Sequence, residues 1–271
     1  MIEEDDSIKL SYYGFSAILK LVPIQELYPH EEINDLHLEE LIALLKKDPY
    51  LNEPLVVDLK TNVVLDGMHR LEALKRLGMF HAPCMLVEYF DEKIKVEKWI
   101  REASYLEEIT FGNIMNEILN LIKDEKILIH KLNNKFYEKS MLNILKENFF
   151  LIFDNIILYL EDIDLEKSNI LIKQFDRIFN VNRYITFQEF EDVKLSHSLA
   201  YYSGKLVSKS EVVEFARKGK LLPAKTTKHN LPFRIKNIRT PLIILLEKDP
   251  FKAKRKFIEW LNKRQMDIKI A

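Results

Sequence analysis

The chain has 271 residues, of which 47% are hydrophobic and 31% are charged, and its formal net charge is −1. This length suits one large domain or two modest ones, and the balanced charge argues against a general nucleic-acid-binding protein, which usually carries a basic excess. A single cysteine, Cys84, excludes an internal disulfide and a zinc site made of several cysteines.

The N-terminus and the apolar segments predict a soluble protein without a membrane anchor. Residues 1–6 include four acidic side chains, whereas a signal peptide begins with basic ones. The longest apolar run, 149–160, is interrupted by Asp154 and Asn155 and is shorter than the roughly 20 residues that span a bilayer. We therefore expect a cytoplasmic protein.

The first part of the chain, residues 17–90, reads as a compact α/β unit. Apolar runs of β-branched residues predict strands, and apolar residues spaced three and four apart predict helices. Pro49 is expected to end the first helix, and Gly78 to cap the second. The predicted elements are a strand at 18–22, a helix beginning at 37, a hairpin of strands 55–59 and 63–65, a helix at 70–77 and a strand at 83–89.

The rest of the chain is predicted to combine helices with a few strands. Its segments are a helix-rich stretch at 91–148, two strands within 149–160, a helix at 165–179, a helix from a capping box at Ser208 and Glu211 to Gly219, and a basic amphipathic tail at 241–271. We expect an α/β (α+β) protein with two domains, residues 1–105 and residues 106–271, the second with a helical connector and a smaller α/β part.

The most informative segment is the turn from Asp66 to Arg70, where a strand runs through Gly67 into a helix. A helix N-terminus offers unpaired backbone N–H groups and a partial positive charge, so it readily binds phosphate. His69 and Arg70 add side-chain donors, and Asp66 could hold a magnesium ion or a substrate group. The alternative is that Asp66 only caps the helix and that Arg70 makes an ordinary salt bridge.

The sequence Asp66-Gly67-Met68-His69-Arg70 after a hairpin resembles the signature turn of the ParB/sulfiredoxin superfamily. Within it, the free serine kinases fit best, because Pro29-His30-Glu31, Tyr89-Phe90-Asp91-Glu92 and the segment 223–233 resemble three further motifs of that family. Sulfiredoxin has a catalytic cysteine in this turn, where the present chain has Met68. The Gly-Glu-Arg-Arg box and helix-turn-helix of the ParB partition proteins do not stand out.

The resemblance implies a fold, an activity and a set of site residues. The fold is a ParB/sulfiredoxin-like N-terminal domain with a second, smaller α/β domain. The activity is phosphoryl transfer from ATP or ADP, with Mg²⁺, to the hydroxyl of free L-serine, giving the O-phospho-L-serine used in cysteine or related biosynthesis. Glu31 is then the catalytic base, and Asp66 is catalytic without an assigned step. The implied phosphate-binding residues are Gly67, Met68, His69 and Arg70.

The second motif implies where the amino acid binds. Lys225, Thr227 and His229 would recognise serine or its phosphorylated form, since lysine attracts carboxylate or phosphate and the other two offer hydrogen bonds. Trp99 would form a wall of the serine pocket, although a single tryptophan is more often part of a core. Histidine usually stands at the position of Met68 in this family, so one side-chain donor for phosphate is missing here.

Two other functions remain open at the level of the sequence. A ParB-like, nucleotide-responsive DNA-binding regulator is suggested by the basic segment from Lys252 to Lys263, which is equally consistent with a packed helix. A kinase of another small hydroxyl compound is the second. The sequence does not discriminate ATP from ADP, and it identifies neither the metal ligands nor the oligomeric state. It contains no P-loop and no zinc-protease motif.

Overall fold

A computed structural model describes residues 7–105, 111–121, 126–131, 139–153, 156–193, 199–263 and 267–270. The chain divides into two compact units. The first unit contains residues 1–95, 209–224 and 229–271, and the second contains residues 96–208 and 225–228. This division differs from the predicted boundary at 105/106, because the C-terminal segments pack with the N-terminal part of the chain.

The described residues form a mixed succession of strands and helices. The strands are β1 Ile8–Tyr12, β2 Phe15–Pro23, β3 Tyr28–Pro29, β4 Tyr50–Leu51, β5 Leu55–Asp58, β6 Val63–Asp66, β7 His81–Val87, β8 Lys95–Lys98, β9 Ile100–Ser104, β10 Ile127–Lys131, β11 Phe149–Phe153, β12 Ile156–Leu160, β13 Asn180–Ile185, β14 Leu199–Ser203, β15 Thr227–Asn230, β16 Phe233–Lys236, β17 Thr240–Pro241 and β18 Asp267–Ile270. The helices are α1 Asp35–Lys47, α2 Met68–Arg76, α3 Phe111–Leu121, α4 Lys139–Glu147, α5 Leu165–Ile178, α6 Phe187–Glu191, α7 Lys209–Arg217, α8 Leu242–Leu245 and α9 Pro250–Asn262, with a 3₁₀ turn at Ile24–Glu26.

The first unit is built on a six-stranded mixed sheet with the order β1-β2-β7-β5-β6-β3. The pair β5 and β6 is antiparallel, as the predicted hairpin requires, while β5 pairs with β7 and β3 pairs with β6 in parallel. All seven residues of β7 are buried, which explains its continuous apolar run in the sequence. The strand β3 therefore lies at the sheet edge beside β6, which leads into the Asp66–Arg70 turn.

The helices of the first unit cover this sheet and begin at recognisable caps. Asn34 caps α1 by accepting a hydrogen bond from the His37 backbone N–H, and α1 packs on α2. Helix α9 packs on β2 through Ala253, Phe257 and Leu261. The segment suggestive of DNA binding is therefore a packed helix. Several of its basic side chains form ion pairs, among them Lys252 with Asp249, Lys256 with Glu247 and Arg255 with Glu259.

The second unit is built on another six-stranded sheet, with the order β10-β12-β11-β14-β9-β13. Aromatic side chains fill the core on one side of this sheet, where Phe149, Phe175 and Tyr202 are fully buried. A second apolar cluster contains Phe150, Phe190 and Tyr201. Among the described residues of either unit, no helix is long and apolar enough to cross a membrane.

The structure corrects one prediction and adjusts others. The stretch 91–148, predicted to be helix-rich, contains the strands β8, β9 and β10 besides α3 and α4. The strand β9 was not predicted because it contains the charged residues Arg101 and Glu102. Both are buried, and they pair with Asp176 and Arg183. The two strands predicted within 149–160 are confirmed, although the turn residues between them lie outside the described residues.

Candidate active site

The turn at Asp66–Arg70 has the predicted strand–glycine–helix geometry. Strand β6 ends at Asp66, Gly67 adopts a left-handed conformation with φ of 103°, and α2 begins at Met68. A Cβ atom on residue 67 would lie only 2.7 Å from Cδ2 of Leu55. Only glycine therefore fits this position without strain and displacement of neighbours, and the backbone N–H groups of the first turn of α2 follow it directly.

Asp66 is held by two arginines from different parts of the chain. Its Oδ2 accepts hydrogen bonds from Arg70 at 3.1 Å and from Arg234 at 2.5 Å. Burial opposes ionisation of this carboxyl, but the charges of Arg70 and Arg234 outweigh it and hold the pKa of Asp66 below its usual value. Asp66 is thus a carboxylate at neutral pH, and both arginine contacts use the same oxygen.

Arg70, predicted to bind phosphate, is largely engaged by protein groups. Besides its bond to Asp66, it donates to the carbonyl of Pro54 at 2.7 Å and lies 3.6 Å from the Glu53 carboxylate. Its side chain is only 17% exposed. The salt bridge foreseen as the alternative is present, and a contact from Arg70 to phosphate stays a prediction.

The other two side chains of the turn differ in what they present. Met68 is buried, so only its backbone N–H is available to a ligand. His69 accepts a hydrogen bond on Nε2 from the backbone N–H of Asn34 at 2.9 Å. Because Nε2 is an acceptor there, the neutral ring carries its proton on Nδ1. This bond joins the start of α2 to the start of α1.

Glu31 lies on a segment whose backbone is hydrogen-bonded to Leu222 at the residues before and after it. It follows β3, and Leu222 forms a parallel bridge with it. The Leu222 N–H donates to the carbonyl of His30 at 2.9 Å, and the Glu32 N–H donates to the carbonyl of Leu222 at 2.8 Å. The Glu31 side chain is 11% exposed. A carboxylate on such a clamped segment keeps its position and remains reachable from solvent.

His30 lies between Glu31 and the strand that leads into the turn. Its Nδ1 is 2.6 Å from the carbonyl oxygen of Val64 in β6, and its Nε2 is 3.5 Å from Oε1 of Glu31. The side chain is 2% exposed. Sequence reasoning used this histidine only as part of the Pro29-His30-Glu31 motif and gave it no function.

His229 is the residue around which the predicted catalytic groups of the first unit gather. Its ring meets the ring of His30 edge-on at 5.3 Å, its Nε2 shares a 2.7 Å hydrogen bond with the Tyr89 hydroxyl, and its carbonyl accepts from Arg234 at 2.8 Å. Burial, followed by the charge of His30, lowers the pKa of His229 to about 3, while Glu31 and Asp66 act in the opposite direction. His229 is therefore neutral at pH 7.

The first unit thus brings together five predicted site residues, Glu31, Asp66, Gly67, Arg70 and His229, and adds three that sequence reasoning missed. The added residues are His30, Tyr89 and Arg234. Arg234 stands one residue after the recognised Leu231-Pro232-Phe233 segment, which was the only hint of it in the sequence. Tyr89 lies in a motif that was recognised without a function for this side chain. The contacts of Arg234 with Asp66 and of Tyr89 with His229 cannot be predicted from the spacing of residues along the sequence.

The remaining predicted substrate residues belong to the second unit, because the chain passes back to the first unit between Lys228 and His229. Within the second unit, the ammonium of Lys225 lies 5.4 Å from the centre of the Trp99 ring, and that of Lys228 lies at 5.7 Å. Lys228 also pairs with Glu97 at 3.2 Å. Lys225 is exposed, whereas Thr227 is buried. The predicted pairing of Trp99 with the Lys225 motif is therefore a contact within one unit.

Trp99 is anchored through its backbone and through the residue before it. The Trp99 carbonyl accepts from the Ser203 hydroxyl at 2.8 Å. The buried ammonium of Lys98 donates to the carbonyls of Asn148 at 2.6 Å and Gly204 at 2.9 Å. Burial lowers the pKa of Lys98 well below its usual value. These bonds fix the backbone at the junction of β8 and β9, where Trp99 lies.

A ready-made cage for a metal ion is not present among the described residues, where no group of three or more His, Cys, Asp and Glu side chains converges. Magnesium does not need such a cage, since it is commonly bound by one or two carboxylates together with substrate phosphates. Asp66 suits this arrangement, because the hydrogen bonds from Arg70 and Arg234 both go to Oδ2 and leave Oδ1 for another ligand.

Comparison with characterised proteins reveals relatives over most of the chain. A protein of Staphylothermus marinus described as an ATP-dependent L-serine kinase is 26% identical over 235 residues, covering 82% of this chain and 89% of that protein. A protein of Thermococcus kodakarensis described as an ADP-dependent L-serine kinase is 23% identical over 227 residues, covering 78% and 86%. No model of a known protein family matches the chain.

Solved structures share the fold. SbnI with a C-terminal truncation from Staphylococcus aureus superposes with a TM-score of 0.70 at 18% identity, covering 90% of this chain and 95% of that one. A variant of a free serine kinase in complex with ADP superposes with a TM-score of 0.63 at 20% identity, covering 84% and 93%. The predicted α/β fold class and the resemblance to free serine kinases are confirmed.

Proposed function

We propose that this protein is a kinase that transfers a phosphoryl group from ATP or ADP to the hydroxyl of free L-serine, giving O-phospho-L-serine. The two relatives described as L-serine kinases extend over about four fifths of the chain and support this activity. The observation that carries the proposal is the cluster in the first unit, where Glu31, Asp66 and the Gly67 turn are linked through His30, His229 and Arg234. These are the groups that a phosphoryl transfer to an alcohol needs.

In the proposed reaction, Glu31 acts as the general base. The serine hydroxyl oxygen attacks the terminal phosphorus of the nucleotide, a new O–P bond forms, and the bond from phosphorus to the bridging oxygen breaks. The hydroxyl proton passes to the Glu31 carboxylate as the new bond develops. A positioned base of this kind typically contributes about 10²–10⁴-fold to the rate. The clamp on residues 30 and 32 keeps the carboxylate in place without reorganisation.

The phosphate groups of the donor are proposed to bind at the start of α2. There the backbone N–H groups that follow Gly67 and the helix dipole favour negative charge. His69 accepts a hydrogen bond from Asn34 on Nε2, and a bond from its Nδ1–H to a donor phosphate is part of the proposal. Arg70 contributes mainly through its charge, because several of its N–H groups are already used by Asp66 and Pro54.

Asp66 is proposed to hold Mg²⁺ through Oδ1 together with oxygens of the bound phosphates. A magnesium ion at this position would neutralise charge on the transferred group. The contribution of the chain itself is to keep Asp66 ionised and oriented, which Arg70 and Arg234 accomplish through Oδ2. The arginine pair therefore supports the ligand without occupying both of its oxygens.

The acceptor is proposed to be recognised by Lys225, Thr227, His229 and Trp99. Lys225 offers a positive charge for the serine carboxylate or the product phosphate, and Thr227 offers a hydroxyl. The Trp99 ring provides a flat apolar wall that is fixed by Ser203. His229, neutral at pH 7 and bonded to Tyr89, provides a buried polar group without a charge of its own.

The test is direct. The purified protein is incubated with L-serine, Mg²⁺ and either ATP or ADP, and O-phospho-L-serine is measured by mass spectrometry. Product formation with one or both donors is the expected result, and the ratio of the two rates identifies the physiological donor. A panel of small alcohols and hydroxy acids is run in parallel. Absence of phosphoserine with both donors refutes the proposal, and faster turnover of another alcohol redirects it to that acceptor.

A further inference from the structure

We infer that His30 is a positioning residue for the proposed base, Glu31. His30 fixes the Glu31 carboxylate and takes over the proton that Glu31 removes from the acceptor hydroxyl. This inference rests on the proposed function. Three observations carry it, namely the bond of His30 to Val64, its contact with Glu31 and the state of its neighbour His229. None of them depends on the residues proposed to bind the donor phosphates.

The bond to Val64 fixes the tautomer of His30. A carbonyl oxygen can only accept a hydrogen bond, so the 2.6 Å contact requires a proton on Nδ1 of His30. In the neutral ring, Nε2 then carries a lone pair and acts as a base. A backbone carbonyl bonded to one ring nitrogen is a common means of setting which nitrogen does the chemistry. The atom of His30 that faces Glu31 is therefore a proton acceptor.

The contact with Glu31 supplies the route for the proton. Nε2 of His30 is 3.5 Å from Oε1 of Glu31, longer than a hydrogen bond to a protonated carboxyl. Catalytic contacts often tighten in the substrate complex, and a shift of under 1 Å makes this one a hydrogen bond. His30 is almost fully buried while Glu31 keeps some exposure, so the carboxylate meets the substrate and the imidazole lies behind it.

The surrounding groups leave His30 as the ring that can accept this proton. His229 lies edge-on to it, but burial lowers the pKa of His229 to about 3, so His229 stays neutral. Tyr89 keeps its proton, because burial and the charges of Asp58 and Glu31 raise its pKa. The charged groups that act on His229 include Glu31, Asp66 and Arg234.

The proton step balances without any additional reactant. As the serine oxygen bonds to phosphorus, its proton goes to Oε1 of Glu31, and it then moves to Nε2 of His30. The result is an imidazolium with N–H groups directed at the Val64 carbonyl and at the restored Glu31 carboxylate. The charge pair keeps the proton away from the transferred phosphoryl group, and it returns to solvent through the partly exposed carboxylate after product release.

The kinetic test compares His30→Asn with the wild-type enzyme. Asparagine can donate to the Val64 carbonyl but has no base at the position of Nε2. We expect kcat to fall about 10- to 100-fold, which is less than the loss expected on removing the proposed base, Glu31. KM for the nucleotide should change less than about twofold. The acid limb of the kcat profile should move, because asparagine cannot take up the proton that Glu31 removes. His130→Asn, at an exposed site of the second unit, should match the wild type.

Two results would overturn this inference while the proposed function stands. One is an active wild-type enzyme whose kcat is unaffected by His30→Asn. The other is a lowered kcat with an unmoved acid limb, which means that His30 only supports the fold. An inactive wild-type protein instead refutes the proposed function, and the proton role of His30 falls with it.

A second measurement does not use catalysis. Nitrogen-15 NMR of the imidazole groups reports the tautomer of each histidine, with His30→Asn used to assign the His30 signals. We expect His30 to carry its proton on Nδ1 at neutral pH, and Glu31→Gln to alter its Nε2 signal more than its Nδ1 signal. A proton found on Nε2 would make His30 a donor to Glu31 and would overturn the inference.

Discussion

The two units hold their proposed functional side chains in contrasting ways. In the first unit, Glu31, Asp66 and His229 belong to a connected network of hydrogen bonds and ion pairs, in which Glu31 and His229 have little exposure. In the second unit, the Trp99 ring lies next to two lysines, and Lys225 is exposed at a residue with φ of 58°. One arrangement is set before a ligand arrives, while the other retains side-chain freedom.

This contrast matches the two tasks of a transferase. Stabilising a transition state requires charges whose positions are already fixed, since reorganising them during the reaction raises the barrier. Recognising a small zwitterion and releasing its phosphorylated product is compatible with long side chains that adjust. We therefore expect substitutions in the first unit to change kcat or stability, and substitutions around Trp99 to change mainly KM. The following variants challenge that division.

The largest effect is expected for Glu31→Gln, which keeps the size of the side chain but removes the base. We expect kcat to fall about 10²–10⁴-fold, the usual contribution of a general base, without a change in melting temperature. The matched control is Glu32→Gln, one residue further along the same clamped segment, which should retain nearly full activity. Similar activities for the two variants would remove Glu31 from the mechanism.

Gly67→Ala should be the most destabilising backbone change at the site. A non-glycine residue with positive φ costs about 1–3 kcal/mol, and here the added Cβ also approaches Leu55 and Arg70. Gly78→Ala is the control, because Gly78 has φ of 71° but nothing within 4 Å of its Cβ position. In urea unfolding, we expect Gly67→Ala to lose about 1–2 kcal/mol more than Gly78→Ala. Equal losses would mean that the turn has room for a side chain.

Arg234→Gln should lower stability in a pH-dependent manner. The carboxyl of Asp66 has a lowered pKa, so its ion pair stabilises the fold above the unfolded-state pKa near 3.8 and loses this contribution as pH falls further. Because the Asp66 side chain is 40% exposed, we expect only about 1 kcal/mol at pH 7. Melting curves should show the wild type and the variant converging below about pH 4.

Arg255→Gln is the control for that experiment, since Arg255 makes a 3.7 Å ion pair with Glu259 between two exposed side chains. The melting temperature of Arg255→Gln should equal that of the wild type at pH 7 and below about pH 4. A constant deficit for Arg234→Gln across the pH range would attribute its role to the bond with the His229 carbonyl and not to Asp66.

The smallest effect is expected for Lys225→Met. An exposed ion pair contributes about 0.2–1 kcal/mol, so losing the proposed contact of Lys225 with the serine carboxylate should raise KM for serine up to about fivefold with little change in kcat. Lys228→Met removes a cation near the same ring, but its charge is offset by Glu97 at 3.2 Å. It should therefore raise KM less than Lys225→Met. A larger loss in kcat than in KM for Lys225→Met would break the division between the units.

Local rules were sufficient for the central turn. Alternating and apolar runs predicted β5 and β6 and the parallel strand β7, and Gly67 marked the passage from strand to helix. The helix α2 begins two residues earlier than predicted, because its first turn starts directly after the glycine. Asp66 was singled out from the turn itself, whereas Glu31 was found only because its motif resembled one of the free serine kinases, and the roles of both remain predictions.

Local sequence patterns could not predict contacts between residues that are far apart in the chain. The bond of Arg234 to Asp66 joins residues 168 positions apart, and that of Tyr89 to His229 joins residues 140 apart. The strand β9 was misjudged because Arg101 and Glu102 are charged yet buried, each satisfied by a partner from elsewhere in the second unit. A pattern read from hydrophobicity alone assigns such residues to a solvated surface.

The bridge between Leu222 and the segment around Glu31 affects how easily the backbone of the proposed base can be displaced. The amides of residues 32 and 222 are the two halves of one main-chain clasp, so we expect both hydrogens to be protected from exchange to a similar degree. Because only backbone atoms take part, the clasp is insensitive to which side chain stands at 222, unless that side chain is proline. The segment that carries the proposed base, Glu31, is thus held by main-chain bonds that most substitutions at residue 222 would leave intact.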